Sequence, residues 1–130
     1  MRLLNIIALG LLLACSASNA QQPSPNINLI MEVPITGQPD KVYVLYSFEW
    51  PPQTVMALHS HPGDEFGTVV KGLYAVREIN GEWKTYKTGE GFRVPAGVVH
   101  EEKNATFSTT TINACVCDKD KKVLQMYTKP

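Results

Sequence analysis

The sequence predicts an all-β barrel, on three observations. From Ile27 onward no segment carries the 3.6-residue apolar period of a helix. Short runs rich in Val, Ile, Thr, Tyr and Phe recur instead, separated by turn residues. Nine Gly and nine Pro in 130 residues call for many turns, which a helical bundle does not need. The length is that of one domain, and 44% hydrophobic with 18% charged residues is a globular balance that excludes a disordered chain. Lys+Arg 12 against Asp+Glu 12 gives a net charge of +0. Without a basic face to displace counterions from phosphates, nucleic acid is not an expected partner.

Residues 1–20 read as a secretory signal. Arg2 supplies the positive start, Leu3 to Ala14 is apolar apart from Asn5 and Gly10, and Ser18 and Ala20 are the small residues a signal peptidase wants, with cleavage after Ala20. The apolar run is too short to span a bilayer. A second processing route is open, because Leu12-Leu13-Ala14-Cys15 resembles a lipobox that would place a lipid on Cys15, the one expected means of membrane anchoring. Either route exports the protein, to the periplasm or beyond it. Residues 21–26, with Pro23 and Pro25, form a flexible leader, and 27–130 is the folded domain.

Strands are expected over Ile27–Val33, Val42–Trp50, Thr54–His61, Phe66–Val70, Leu73–Ile79, Glu82–Lys87, Thr106–Cys117 and Val123–Tyr127. Asn80-Gly81 between two of them predicts a two-residue type I′ hairpin. Gly89, Gly91, Pro95 and Gly97 punctuate the stretch before His100. Evenly spaced antiparallel strands manage their edges by closing into a barrel or sandwich.

The 3 histidines carry the functional argument. His59 and His61 are two apart near a strand end, so both rings leave one face with Cα atoms roughly 7 Å apart. After the Pro62-Gly63-Asp64 turn, Glu65 begins the next strand and can swing back to the same point. His100 follows Pro95-Ala96-Gly97 and can arrive from a neighbouring strand. Three neutral imidazoles and one carboxylate suit Fe, Mn, Ni, Cu or Zn, and do not suit Ca or Mg. Any one of these histidines alone would read as a surface residue; the joint spacing makes the case.

That spacing is His59-x-His61, three residues, Glu65, six residues, Gly72, and then Gly89, five residues, Pro95, x, Gly97, two residues, His100, three residues, Asn104. It resembles the two signature motifs of the cupin superfamily, the small jelly-roll barrels. One position departs: six residues before His59 the family pattern has a turn glycine, and here stands Gln53. The resemblance implies a jelly-roll β-barrel, homodimerisation through the leader and the Ile27 strand, and a metal held by His59, His61, Glu65 and His100. The stretch His61-Pro62-Gly63-Asp64-Glu65-Phe66-Gly67 is similar to short single-domain bacterial cupins, many with signal peptides, that are called quercetin-dioxygenase-like. That term describes a fold and fixes no substrate.

Four protein ligands leave up to two positions on a six-coordinate ion for water, dioxygen or a substrate oxygen. The resemblance implies a metal-dependent enzyme, dioxygenase-like with isomerase or lyase chemistry also open, acting on a small organic molecule, and Glu65 is its candidate general base. Two other readings are a non-catalytic module that grips a small ligand through the ion, and a purely structural metal. Alternation from His59 turns Val55 and Ala57 inward and Met56 and Leu58 outward. Phe66, Tyr74 and Phe92 are candidate core or pocket walls, and Tyr43 and Tyr46, three apart, point to opposite faces. Glu101 and Glu102 follow a ligand, where they could orient it, but read first as a solvated turn. Cys115 and Cys117 share a strand face, where a mutual bridge would be strained, and read as small buried hydrophobes.

Overall fold

The computed structural model describes residues 23–128. The expected signal over 1–20, its cleavage point and Cys15 lie outside the described residues. Ten strands run in order: β1 (Asn26–Ile35), β2 (Gln38–Trp50), β3 (Val55–Ser60), β4 (Glu65–Lys71), β5 (Leu73–Glu78), β6 (Lys84–Lys87), β7 (Gly91–Val94), β8 (His100–Asn104), β9 (Thr109–Asp118) and β10 (Gln125–Met126). The described residues contain no helix. Two antiparallel five-stranded sheets form, ordered β1-β2-β9-β4-β7 and β10-β3-β8-β5-β6. This is the expected all-β jelly roll.

β9 shows how the sequence produces it. Thr109, Thr111, Asn113, Cys115 and Cys117 are buried and the residues between them half-buried, a strict period of two along a β-branched run. In β2, Val42, Val44, Phe48 and Trp50 face inward by the same alternation. Phe48, Trp50, Met56, Val69, Tyr74, Val76, Phe92 and Val94 make the apolar core. Trp50 lies edge-on to Tyr74 with centroids 5.3 Å apart, and Tyr74 packs on Phe92 at 4.7 Å. Gly67 leaves room for that packing, because a Cβ there would stand 2.1 Å from Phe92 Cζ. Of the three expected aromatic walls, Tyr74 and Phe92 are core, whereas Phe66 is exposed.

The structure corrects the sequence expectations at several places. β7 and β8 are strands the turn residues around them concealed. Asn80-Gly81 is not a two-residue type I′ turn: Gly81 N–H donates to Glu78 O, only Asn80 of the pair has positive φ, and residues 79–83 connect β5 to β6. Alternation in β3 is broken by a bulge, because Met56 pairs with Glu102 and His59 with His100. The extra residue turns Met56 and Leu58 inward with the histidines and leaves Ala57 exposed.

Gln53, standing where the family pattern has glycine, adopts φ 59°. The turn therefore keeps its left-handed conformation without the residue that adopts it most readily. Asn104 holds this corner together. Its Oδ1 accepts from Thr54 N–H at 2.8 Å, and its Nδ2 lies 2.8 Å from Pro51 O, 3.0 Å from Phe107 O and 3.1 Å from Trp50 O.

Candidate metal centre

Two crossing loops bring the histidines together. Between β3 and β4, Gly63 lies so close to β9 that a Cβ would meet the Val116 carbonyl oxygen at 1.8 Å. Asp64 then accepts from Arg93 at 2.6 and 2.9 Å and from Ala96 N–H at 2.9 Å. Gly97 N–H donates to His61 O at 2.8 Å. The Pro95-Ala96-Gly97 loop before His100 is thus tied directly to the His61–Glu65 loop, so the two signature segments act as one unit.

His59, His61 and His100 are all buried, and their ligand atoms lie within 4.8 Å of one another. Each ring is oriented by a backbone carbonyl: His59 Nδ1 lies 2.7 Å from Ala57 O, His61 Nδ1 2.8 Å from Val123 O, and His100 Nδ1 2.9 Å from Val98 O. A carbonyl only accepts, so each Nδ1 carries the proton and, in the neutral ring, each Nε2 offers its lone pair. This is how ligand imidazoles are oriented.

Glu65, at the head of β4, is buried with them. Its Oε1 accepts from Asn113 Nδ2 at 2.7 Å, while its Oε2 stands 3.3 Å from His61 Nε2 and 3.7 Å from His100 Nε2. Neither approach is aligned as a hydrogen bond: His61 Nε2, His100 Nε2 and Glu65 Oε2 are all buried without a partner. Buried polar atoms are ordinarily satisfied. A cluster of unsatisfied lone pairs from imidazoles and a carboxylate fits a transition-metal cation, and His59, His61, Glu65 and His100 would hold it.

The expectation for Glu101 and Glu102 is overturned. Both are buried in β8, where the pairing with β3 and β5 takes them out of solvent. Glu101 pairs with Arg77. Glu102, on the same face as His100, reaches the cluster, with Oε1 3.5 Å from His100 Nε2 and Oε2 3.8 Å from His59 Nε2. Asn113 is the residue sequence reasoning missed, and Glu102 the one it placed in a solvated turn. The period-two face shared by Asn113, Cys115 and Cys117, and by His100 and Glu102, was the available signal.

Charge in the cluster follows from burial and these carboxylates. Burial disfavours the imidazolium form and holds the His59 pKa below its ordinary value. Burial acts the same way on His61, but Glu65 outweighs it and the net shift is upward. At His100, burial is again outweighed, by Glu102 and Glu65 together, and the pKa rises to about 10. Burial would raise Glu65, yet His100, His61 and Asn113 bring it well below the usual carboxylate range. In the metal-free protein a proton on His100 therefore competes for the centre, and a metal ion must displace it.

The Cupin domain family matches residues 46–112, just over half of the chain, and this stretch contains all of the cluster. The chain belongs to the cupin family. No curated protein matches it. Its fold is similar to that of a double-stranded β-helix protein from Klebsiella pneumoniae, 23% identical, covering 86% of this chain and 89% of that one at a TM-score of 0.63. A cupin-like protein from Thermotoga maritima is 18% identical over 78% of this chain and 74% of its own, with a TM-score of 0.63. The DMSP lyase DddQ from Ruegeria pomeroyi is 14% identical over 79% of this chain and 51% of its own, with a TM-score of 0.65.

Beside the cluster the cupin barrel holds a cavity of about 120 Å³. His61, Glu65 and Asn113 form its polar edge, and Ile27, Tyr46, Phe48, Met56, Ala114, Cys115, Val123 and Leu124 its apolar wall. Tyr46, not Tyr43, therefore faces the interior. Cys115 and Cys117 correct a further expectation, since they form a disulfide with Cα atoms 5.5 Å apart. β9 is contracted here relative to the roughly 7 Å of a regular strand, which brings the pair within bridging range.

Proposed function

We propose that this cupin is a metal-dependent enzyme of dioxygenase-like type, acting on a small, largely apolar organic molecule at a centre held by His59, His61, Glu65 and His100. The observation that carries the reading is the set of unsatisfied buried donors, His61 Nε2, His100 Nε2 and Glu65 Oε2, at the edge of an apolar cavity. A bound Fe, Mn, Ni, Cu or Zn supplies Lewis acidity or, for the redox-active ions, electrons for dioxygen. The protein's residues do the rest. A cavity of about 120 Å³ admits on the order of ten water-sized groups, so the substrate is small. The apolar wall excludes water and selects against charged substrates. Asn113 holds Glu65 by one oxygen and leaves the other toward the histidines, so Glu65 is the candidate general base for a substrate proton at the cavity edge.

Metal reconstitution followed by oxygen-uptake assays over a panel of small aromatic and aliphatic compounds tests this reading. Turnover that Glu65→Gln abolishes while metal stays bound supports it. A metal-loaded protein that is inert toward the panel yet is thermally stabilised by one of its members is instead a small-molecule binding module.

The same reading takes the chain as exported by its first 20 residues and as a homodimer. Ile27, Leu29, Ile30, Met31 and Val33 of the edge strand β1 are 40–56% exposed, which supports a second copy packing there. Light scattering of the purified protein, with Leu29→Lys as the disrupting variant, tests the dimer. Mass analysis of the exported protein's N-terminus separates cleavage after Ala20 from lipidation at Cys15.

A further inference from the structure

Glu102 is a fully buried carboxylate that the proposed four-residue centre does not use. It is 1% exposed, and among the described residues its ion-pair partners are two imidazoles, at 3.5 Å from His100 Nε2 and 3.8 Å from His59 Nε2. Its Oε1 has no hydrogen-bond partner. An ionised carboxylate taken out of water is strongly unfavourable unless a cation meets it. No lysine or arginine pairs with it among the described residues; besides the two imidazoles it faces the buried Tyr74 hydroxyl.

The bulge in β3 explains how it arrives. Pairing Met56 with Glu102 and His59 with His100 sets Glu102 on the same face as His100 and next to His59. The donor atoms of Glu65, His100 and Glu102 lie within 4.8 Å of one another, as do those of His59, His61 and His100. His100 belongs to both groups, so Glu102 stands in the same donor cluster as the proposed centre.

We propose that Glu102 is a fifth protein ligand, and that the metal is held by three imidazoles and two carboxylates. This inference rests on the metal-centre reading given above. It accounts for the charge: three neutral imidazoles with Glu65 and Glu102 balance a divalent cation, leaving a neutral cluster in a buried site. It also carries a consequence for substrate binding. Five protein donors would leave one position on a six-coordinate ion, enough for a substrate bound through a single atom. A second carboxylate shifts preference toward harder ions such as Mn²⁺ relative to Zn²⁺ or Cu²⁺.

The test is calorimetric titration of the full mature chain with Mn²⁺ and with Zn²⁺, for wild type, Glu102→Gln and Glu101→Gln. Glu101→Gln removes the same charge one residue away, on the Arg77 side of β8. The proposal predicts that Glu102→Gln lowers Mn²⁺ affinity by at least about 100-fold, beyond the 10–100-fold typical of a group acting through a ligand. It predicts a smaller loss for Zn²⁺, an altered Co²⁺ absorption spectrum, and little change for Glu101→Gln. Affinities within about threefold of wild type for Glu102→Gln, with the Co²⁺ spectrum unchanged, overturn it while leaving the four-residue centre standing. Wild type without affinity for either ion overturns the centre itself. If Glu102→Gln does not fold, crystals of the Zn²⁺-loaded wild type decide: a Glu102 oxygen at about 2.0–2.2 Å from the ion supports the proposal, and one beyond about 3 Å refutes it.

Discussion

Asn113→Leu is the most informative single change outside the histidines. Asn113 Nδ2 donates to Glu65 Oε1 at 2.7 Å with both side chains buried, whereas Asn113 Oδ1 is buried without a partner. Leucine keeps the heavy-atom count and the branching of the side chain and removes both polar atoms. A hydrogen bond to a charged group contributes about 1.5–3 kcal/mol, and losing the orphaned Oδ1 returns about 1 kcal/mol, so the metal-free protein should lose about 0.5–2 kcal/mol. Glu65 is held well below the usual carboxylate range partly by this bond, and its pKa moves upward in the variant. A depressed carboxylate stabilises the fold above its unfolded pKa of about 4.3 and ceases to as pH falls, so the loss should be seen at pH 7 and shrink under acid conditions. Freed of its orienting partner, Glu65 should hold metal about 10–100-fold more weakly, which is about 1.4–2.8 kcal/mol. Urea unfolding at pH 7 and again well below pH 4, with metal titration by calorimetry, measures both effects. A folded Asn113→Leu protein that binds Mn²⁺ and Zn²⁺ within about threefold of wild type would refute the reasoning.

Three further outcomes are expected. Gln53→Gly should stabilise the protein by about 0.5–1 kcal/mol, because relief of a left-handed non-glycine residue at φ 59° exceeds the added unfolded-state entropy; an unchanged or lowered urea midpoint would contradict this. Gly67→Ala should destabilise by about 1–3 kcal/mol through displacement of Phe92 from Tyr74, read as a lowered Tm with altered near-ultraviolet circular dichroism. His100 is raised to about 10 in the folded, metal-free protein. A raised histidine stabilises fully below its unfolded pKa of about 6.5 and loses that contribution as pH climbs through the folded value, so metal-free stability should decline between about pH 6.5 and 10. Metal affinity should rise over the same interval as competing protons leave; a flat stability profile there would contradict the assignment.

The barrel and the proposed ligands were legible in the sequence because they rest on short-range rules. Period-two runs mark strands, and His59, His61, Glu65, His100 stand at spacings that a strand end and two turns convert into a common point. What escaped depended on pairing between distant segments. The β3 bulge exists only against β8, and without it alternation assigns Met56 to the wrong face. His-Glu-Glu-Lys-Asn reads as a solvated turn, since nothing local reveals that β3 and β5 enclose it. Gly-Phe-Arg-Val, bracketed by glycine and proline, was too short to register as β7. Cys115 and Cys117 are out of bridging range on a regular strand, and their approach to 5.5 Å between Cα atoms is a property of the folded sheet. Asn113 reads locally as one more polar residue in a threonine-rich strand, and only the folded sheet brings its side chain to Glu65.

Anomalous diffraction from crystals of the metal-loaded protein tests the central claim most directly. The account predicts a single strong peak within about 2.0–2.2 Å of Nε2 of His59, His61 and His100 and of a Glu65 oxygen. A peak elsewhere on the molecule, or an ion from which the His100 ring is turned away, would contradict it.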